Sequence, residues 1–284
     1  MQYTSQHTQL YDYAVSGAVC SNSLTPRYFS AISAPFPDLA GYEVPAFLAD
    51  KAYGLNSATN TSLFTTPLTA DNTVYAIWDG TNDLGYYSFV QDQEAPGGTL
   101  NDYLDCIFSQ LDRLYSSGGR YFVLMNIVPL ELAGEYANAS FLGAGNNQYW
   151  PDKLNYSTNL TAISERMRLQ TTSVNALYAY RTPYEVLLAN RYPGAHFALF
   201  DVNRLFLDIH NHPAQFLNGT SGEMVNGYVH HCNTMGGNCT LVGDPDSYVW
   251  YDELHPSEQT QRWVAREFVG VVGGRSGYAT YFSS

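Results

Sequence analysis

Basic residues are scarce in this chain. Thirteen Lys and Arg stand against 26 Asp and Glu, a formal charge of −13 over 284 residues, so no basic face is available to neutralise a phosphate backbone and nucleic acid is excluded as a partner. Charged residues of either sign make up only 14% of the chain. Against that scarcity, 45% of residues are apolar and 15% aromatic, 24 of them Tyr, an apolar content that excludes a disordered chain and is enough to build a sizeable core. No apolar run approaches the ~20 residues of a bilayer span, so no membrane span is expected. Met1 is followed by Gln2-Tyr3-Thr4-Ser5 in place of a basic n-region and an apolar h-region, so no secretory signal is read in the chain.

Other features point to an oxidising, extracellular setting. Asn-x-Ser/Thr sequons begin at Asn60, Asn138, Asn155, Asn159, Asn218 and Asn238, about twice the number that this composition gives by chance. Of four cysteines, Cys232 and Cys239 bracket a short Gly-containing loop that a disulfide can close, and their spacing is not that of paired zinc knuckles. Cys20 and Cys106 lie far apart, and pairing or burial as free thiols both remain open. The combination predicts a secreted glycoprotein.

Strand-like and helix-like segments alternate, which predicts an α/β fold with a mainly parallel sheet in a single domain covering 1–284. Strands are expected at Leu10–Val15, Thr73–Asp79, Tyr121–Ile127 and Phe197–Val202. Cys20 to about Ala70, broken by Pro26, Pro35, Pro37, Pro45 and Pro67, reads as a surface excursion with short helices. Thr99 is the N-cap of a helix whose apolar positions Leu100, Tyr103, Leu104, Ile107, Phe108, Leu111, Leu114 and Tyr115 recur every three or four residues until Gly118-Gly119. A second helical stretch runs from Leu160 to Asn190, divided or kinked at Pro183. Loops and a short helix are expected from Leu205 to about Tyr248. Pro256 is placed in the first turn of a last helix that buries Val264, Phe268 and Val271.

Three short strings carry chemistry. In Asp252-Glu253-Leu254-His255, a carboxylate three residues before an imidazole folds back to accept Nδ1–H and leaves Nε2 as a general base. Gly80-Thr81-Asn82-Asp83 puts a side-chain amide at the C-terminal end of a strand, where open α/β sheets bind ligands. Ser16-Gly17-Ala18, at another strand end, adds a backbone N–H donor. Taken singly, each is more often an ordinary turn. The pairs His210/His212 and His230/His231 lie in a loop-rich stretch without a carboxylate at helical spacing, so no metal site is expected. No phosphate loop or dinucleotide fingerprint is present, and no cofactor is expected. Asn147-Gln148-Tyr149-Trp150 has aromatic residues suited to stacking on sugar rings, or equally to packing.

Taken together and in this order, the strings resemble the Gly, Gly-x-Asn-Asp and Asp-x-x-His blocks of the GDSL or SGNH hydrolases. Tyr-Ala-Val-Ser-Gly-Ala-Val-Cys-Ser-Asn at Tyr13 to Asn22 and Ile-Trp-Asp-Gly-Thr-Asn-Asp-Leu-Gly at Ile77 to Gly85 are most similar to fungal carbohydrate esterases of family 16, secreted acetylesterases. The resemblance covers essentially the whole chain. It implies a flavodoxin-like three-layer α/β/α sandwich and a hydrolase that deacetylates plant cell-wall oligosaccharides without a cofactor. In it, His255 is the general base, Asp252 orients the imidazole, Asn82 Nδ2 and Gly17 N–H form the oxyanion hole, and Asp83 supports the Asn82 loop. A GDSL-type lipase or phospholipase, and a non-catalytic carbohydrate-binding relative, are the alternatives on the same scaffold.

One block of the pattern is absent. No Gly-Asp-Ser occurs anywhere, and Gly243-Asp244-Pro245-Asp246-Ser247 has the wrong position and spacing. The nucleophile block is expected to precede Gly17 by most of a βαβ unit, roughly 30 residues, whereas 16 residues precede it here. Ser16 lacks the preceding glycine that a nucleophile elbow needs. The expectation is therefore a chain truncated at its N-terminus, lacking the first strand, the Ser and the export signal, and inactive as it stands. In a 2-1-3-4-5 strand order the first strand is internal, so its omission leaves two neighbours with unpaired edges and an unstable sheet.

Overall fold

The structure is a computed structural model that describes residues 8–56 and 63–284; the sequon at Asn60 lies outside them. The chain is mixed α/β with a mainly parallel central sheet and, among the described residues, seven α-helices. The described residues group into two compact units. One is formed by residues up to Asn126, Val174–Phe200 and Ala279–Ser284, the other by Ile127–Ser173 and Asp201–Tyr278.

In the first unit a two-residue hairpin, β1 (Tyr28–Phe29) with β2 (Ala34–Pro35), precedes helix α1 (Val44–Asn56). The Pro-rich segment therefore carries a 13-residue helix as well as short elements: Pro45 falls in its first turn, where a missing N–H costs nothing. The central sheet follows from β3 (Val74–Ile77), helix α2 (Thr81–Leu84), helix α3 (Leu100–Ser116) and β4 (Tyr121–Met125). Thr99 and Asp102 form a complete capping box at the start of α3, worth about 1 kcal/mol. Tyr103, Leu104, Ile107, Phe108, Leu111 and Leu114 are buried along it as the periodicity predicts.

Strand β5 (His196–Phe200) pairs parallel to β4, β4 pairs parallel to β3, and β10 (Ala279–Ser283) closes the other side antiparallel to β5. The register aligns Tyr75, Phe122 and Phe197 across three strands, with ring centroids 5.7 and 4.8 Å apart. Strand β4 is buried on both faces, so its near-continuous apolar run is what a central parallel strand requires. Strand β3, shorter than the expected Thr73–Asp79, is at the sheet edge among the described residues, and Val74 and Ala76 face outward while Tyr75 and Ile77 face in. Leu10–Val15 is not a strand either. It pairs with no other segment among the described residues and is tied down by side chains, with Val15 N–H donating to Glu43 and the Tyr13 hydroxyl to Asp50.

The second unit holds α4 (Lys153–Tyr156), the start of α5 (Leu160–Pro183), α6 (Val202–Asn211), β6 (Met224–Tyr228), the short pair β7 (His230–His231) and β8 (Thr240–Leu241), β9 (Tyr248–Trp250) and α7 (Glu258–Val272). Helix α5 passes at Pro183 into a wider π turn, Tyr184–Leu188, because a proline ring has no N–H to continue the ladder. Strand β6 lies inside the stretch expected to be mostly loop and pairs in parallel with β9, which begins at the end of that stretch. The last helix starts later than expected. Ser257 is its N-cap, accepting from Thr260 N–H, and Pro256 lies outside it, bridged to Trp250; a Ser Oγ accepts the free N–H of the first turn, which a proline ring cannot do. Phe268 is only half-buried, whereas Val264 and Val271 are buried. Both cysteine pairs are disulfides: Cys232–Cys239, as expected, and Cys20–Cys106, which the sequence leaves open. No helix among the described residues is long and apolar enough to cross a membrane.

Candidate active site

The motif residues fall into the two units, Gly17 and Asn82 in the first, Asp252 and His255 in the second. In the second, the chain reverses between β9 and α7 through a turn in which Tyr251 N–H donates to the His255 carbonyl at 2.8 Å and Ser257 N–H to the Val249 carbonyl at 2.9 Å. The turn brings Asp252 and His255 together. Asp252 Oδ1 accepts the N–H groups of Leu254 (2.9 Å) and His255 (2.7 Å), and the imidazole Nδ1 stands 3.0 and 3.1 Å from the two carboxylate oxygens. The Asp252 side chain is 7% exposed and that of His255 51%. Nε2 has no protein partner among the described residues, so the pair presents one fixed tautomer with an open basic nitrogen.

The electrostatics follow from those contacts. The hydrogen bond to Asp252 holds the His255 pKa above its ordinary value, against burial, which pulls it down, and with help from the charges of Asp252, Glu135 and Glu253. For Asp252, burial pushes upward, but the bonds from the His255 ring and from the N–H groups of His255 and Leu254 hold the carboxyl below its usual range. Because the folded pKa of His255 is raised, its contribution to stability is complete below the unfolded value and is lost as pH rises through the folded one; because that of Asp252 is lowered, its share is present above the unfolded carboxylate value and is lost as pH falls through the folded one. The pair therefore stabilises the fold most between about pH 4 and 6.5. His255→Asn is expected to destabilise the chain near pH 5.5 and to have a smaller effect at pH 9. Urea unfolding at the two pH values checks this, and equal losses at both would count against it.

Beside this turn is a layer that the sequence did not disclose. Trp150, for which sugar stacking and packing are equal readings of the sequence, packs: it is fully buried between Tyr136 and Tyr156. Asn147 Oδ1 instead folds the segment by accepting Tyr149 N–H (2.9 Å) and Trp150 N–H (3.0 Å). The Tyr149 hydroxyl then donates to Asp252 Oδ2 at 2.7 Å, its ring meets the His255 ring edge-on at 5.2 Å, and Gln148 Nε2 donates to Glu253 Oε2 at 2.8 Å. Glu135 is buried, donates its N–H to the Glu253 carbonyl, and is pushed up to about 7 by that burial, opposed by Lys153. Lys153, equally buried, is drawn down to about 8. Only the string Asn-Gln-Tyr-Trp hinted at this layer, and a string does not show which carboxylate a Tyr will reach.

In the first unit, Gly80 (φ 111°) starts helix α2 in the left-handed region, which favours glycine. Asn82 Nδ2 donates to the Ala18 carbonyl at 2.9 Å, so the amide and the Gly17 turn are neighbours. Gly17 is also left-handed (φ 91°), and a Cβ there would lie 2.8 Å from the Phe36 ring; its N–H has no acceptor among the described residues. Asp83 is fully buried and accepts Cys20 N–H at 3.0 and 3.2 Å and the Thr25 hydroxyl at 2.8 Å, which ties the Asn82 loop to the Gly17 segment. Burial pushes Asp83 up to about 6, against those hydrogen bonds. Ser16 is exposed in the turn.

Of the four histidines in the two pairs, three have ring contacts and His212 is exposed. His230 stacks on Tyr251 and His231 on Tyr228, and His210 meets Phe141 edge-on. His230, Cys232 and Cys239 place one ligand atom each within 4.8 Å of one another, but both sulfurs are committed to a disulfide.

No protein-family model matches the chain. Known proteins do. An acetylesterase of Hypocrea jecorina is 40% identical over 284 residues, covering 99% of this chain and 78% of its own. An acetylesterase of Thermothelomyces thermophilus is 26% identical over 130 residues (46% of this chain, 38% of its own), and a GDSL esterase/lipase of Arabidopsis thaliana 24% identical over 207 residues (70% and 50%). Identity at that level along nearly the whole chain, with the second relative sharing the acetylesterase name and the third the GDSL name, means that this chain belongs to the GDSL/acetylesterase family of carboxylic-ester hydrolases.

Proposed function

We propose that the chain is the scaffold of a secreted acetylesterase of the SGNH type that removes acetyl groups from plant cell-wall oligosaccharides. The observation that carries the reading is the Asp252–His255 contact with Nε2 left open, in a chain 40% identical to an acetylesterase. His255 Nε2 takes the proton of a serine hydroxyl as its oxygen attacks the acetyl carbonyl, and Asp252 stabilises the imidazolium through Nδ1–H. Gly17 N–H and the second hydrogen of Asn82 Nδ2 donate to the oxyanion. His255 then gives the proton to the departing sugar oxygen as the tetrahedral intermediate collapses, and water deacylates the serine by the same path. The oxidised cysteines and five described sequons, four of them at exposed asparagines, favour a secreted glycoprotein.

The serine is assigned to the family's Gly-Asp-Ser block, which these 284 residues do not contain. The test compares the chain alone with a form extended N-terminally by a segment carrying that block, on p-nitrophenyl esters of short and long acids and on acetylated xylo-oligosaccharides. The extended form is expected to hydrolyse acetate and the sugar esters, with kcat/KM rising with pH through the raised pKa of His255, while the chain alone stays at background. Preference for long acyl chains would replace this reading with a lipase. A folded extended form inactive on every ester would favour the carbohydrate-binding alternative, for which the missing Gly-Asp-Ser is the specific observation.

A further inference from the structure

The Asp252–His255 pair is itself gripped from a second segment. Asp252 has two oxygens and four donors: Leu254 N–H, His255 N–H and the imidazole on one side, the Tyr149 hydroxyl on the other. The adjacent Gln148 holds the next carboxylate, Glu253. We propose that Tyr149 is a positioning residue that, through Asp252, sets the orientation and basicity of His255, while Gln148 keeps Glu253 from competing for the same imidazole. The meaning for catalysis rests on the reading of His255 as general base.

The physical basis is the sharing of one negative charge. A hydroxyl donating to Asp252 Oδ2 stabilises the carboxylate and so reduces the charge it offers the imidazolium. Burial and the Asp252 carboxylate push the Tyr149 pKa upward, so the hydroxyl remains a donor throughout the working range. The edge-on ring contact limits rotation of the imidazole. Other groups around His255 are Glu253, buried Glu135 with Lys153 beside it, and Tyr228 against Glu253. None of these contacts Tyr149 Oη by a hydrogen bond, so removing that oxygen acts on His255 through Asp252.

The test is an NMR titration of His255 in the 284-residue chain, with no ester present. Tyr149→Phe is expected to raise the His255 pKa by roughly half a unit, since the freed carboxylate charge falls on the imidazolium. In an Asp252→Asn background the same substitution is expected to change nothing, because the route through the carboxylate is gone. Replacing Tyr149 by a fluorinated tyrosine, a stronger donor of nearly the same shape, is expected to shift the pKa the opposite way and keeps the proposal falsifiable if Tyr149→Phe does not fold. An unchanged or lowered pKa in Tyr149→Phe, or an equal shift in both backgrounds, would overturn the proposal. Absence of ester hydrolysis would leave the titration untouched, and an unchanged titration would leave the esterase reading standing.

Discussion

Replacing both Cys20 and Cys106 by Ser is expected to lower the unfolding free energy by roughly 4–5 kcal/mol in the chain-entropy account, and by at least about 2 kcal/mol where the unfolded chain retains structure. The bridge spans 86 residues of sequence, so its loss returns a large loop to the unfolded ensemble. It fastens the segment after Gly17 to helix α3, and Cys20 itself has no exposed surface. The same segment is held to the Asn82 loop by Asp83, through Cys20 N–H and Thr25. Loss of the bridge is therefore expected to loosen the proposed oxyanion donors as well as to reduce stability. Cys232–Cys239, separated by only seven residues, is worth about 2.5 kcal/mol on the same relation. Urea unfolding of the two double-Ser proteins checks the order. A loss below about 1 kcal/mol for Cys20/Cys106 would show that the Asp83 bonds suffice to anchor the segment.

Asp252→Asn is expected to lower the His255 pKa by about 1–2 units, the size of effect that one adjacent carboxylate exerts. It is also expected to cut ester turnover by about 10⁴-fold in a form that carries the nucleophile. Asn keeps the shape and still accepts Leu254 and His255 N–H, so the turn survives; its amide removes the charge that stabilises an imidazolium and offers a donor where the wild type has only acceptors. The titration is read by NMR and the turnover with p-nitrophenyl acetate. An unmoved His255 pKa would show that Asp252 is only a turn residue, and an unmoved turnover would remove the pair from the mechanism.

How much of this was legible varies with the range of the forces involved. Helix α3 could be read to within a residue because its capping box and its three-and-four spacing are local. The Asp252–His255 contact was legible for the same reason: three residues and a turn suffice to make it. Strand β3 could be located but not oriented, since the same residues fit a fully buried strand and an edge strand with one face uncovered; which applies depends on what lies beside them. Leu10–Val15 has strand composition and no ladder, because a strand needs a partner and composition does not supply one. Strands β9 and β10 were missed and the Cys20–Cys106 pairing was left open because each is defined by a contact far away in the sequence.

The sequence by itself determined the acidic charge, the α/β alternation, the order of the three motif blocks and the absence of a Gly-Asp-Ser. All of these are properties of composition or of neighbours along the chain. Only the tertiary structure decided that Asp83 ties the Cys20 segment to the Asn82 loop, that Cys20 pairs with Cys106, and that Tyr149 donates to Asp252 across a separation of 103 residues. Such contacts follow from where packing leaves a buried polar atom in need of a partner, and no local pattern encodes that.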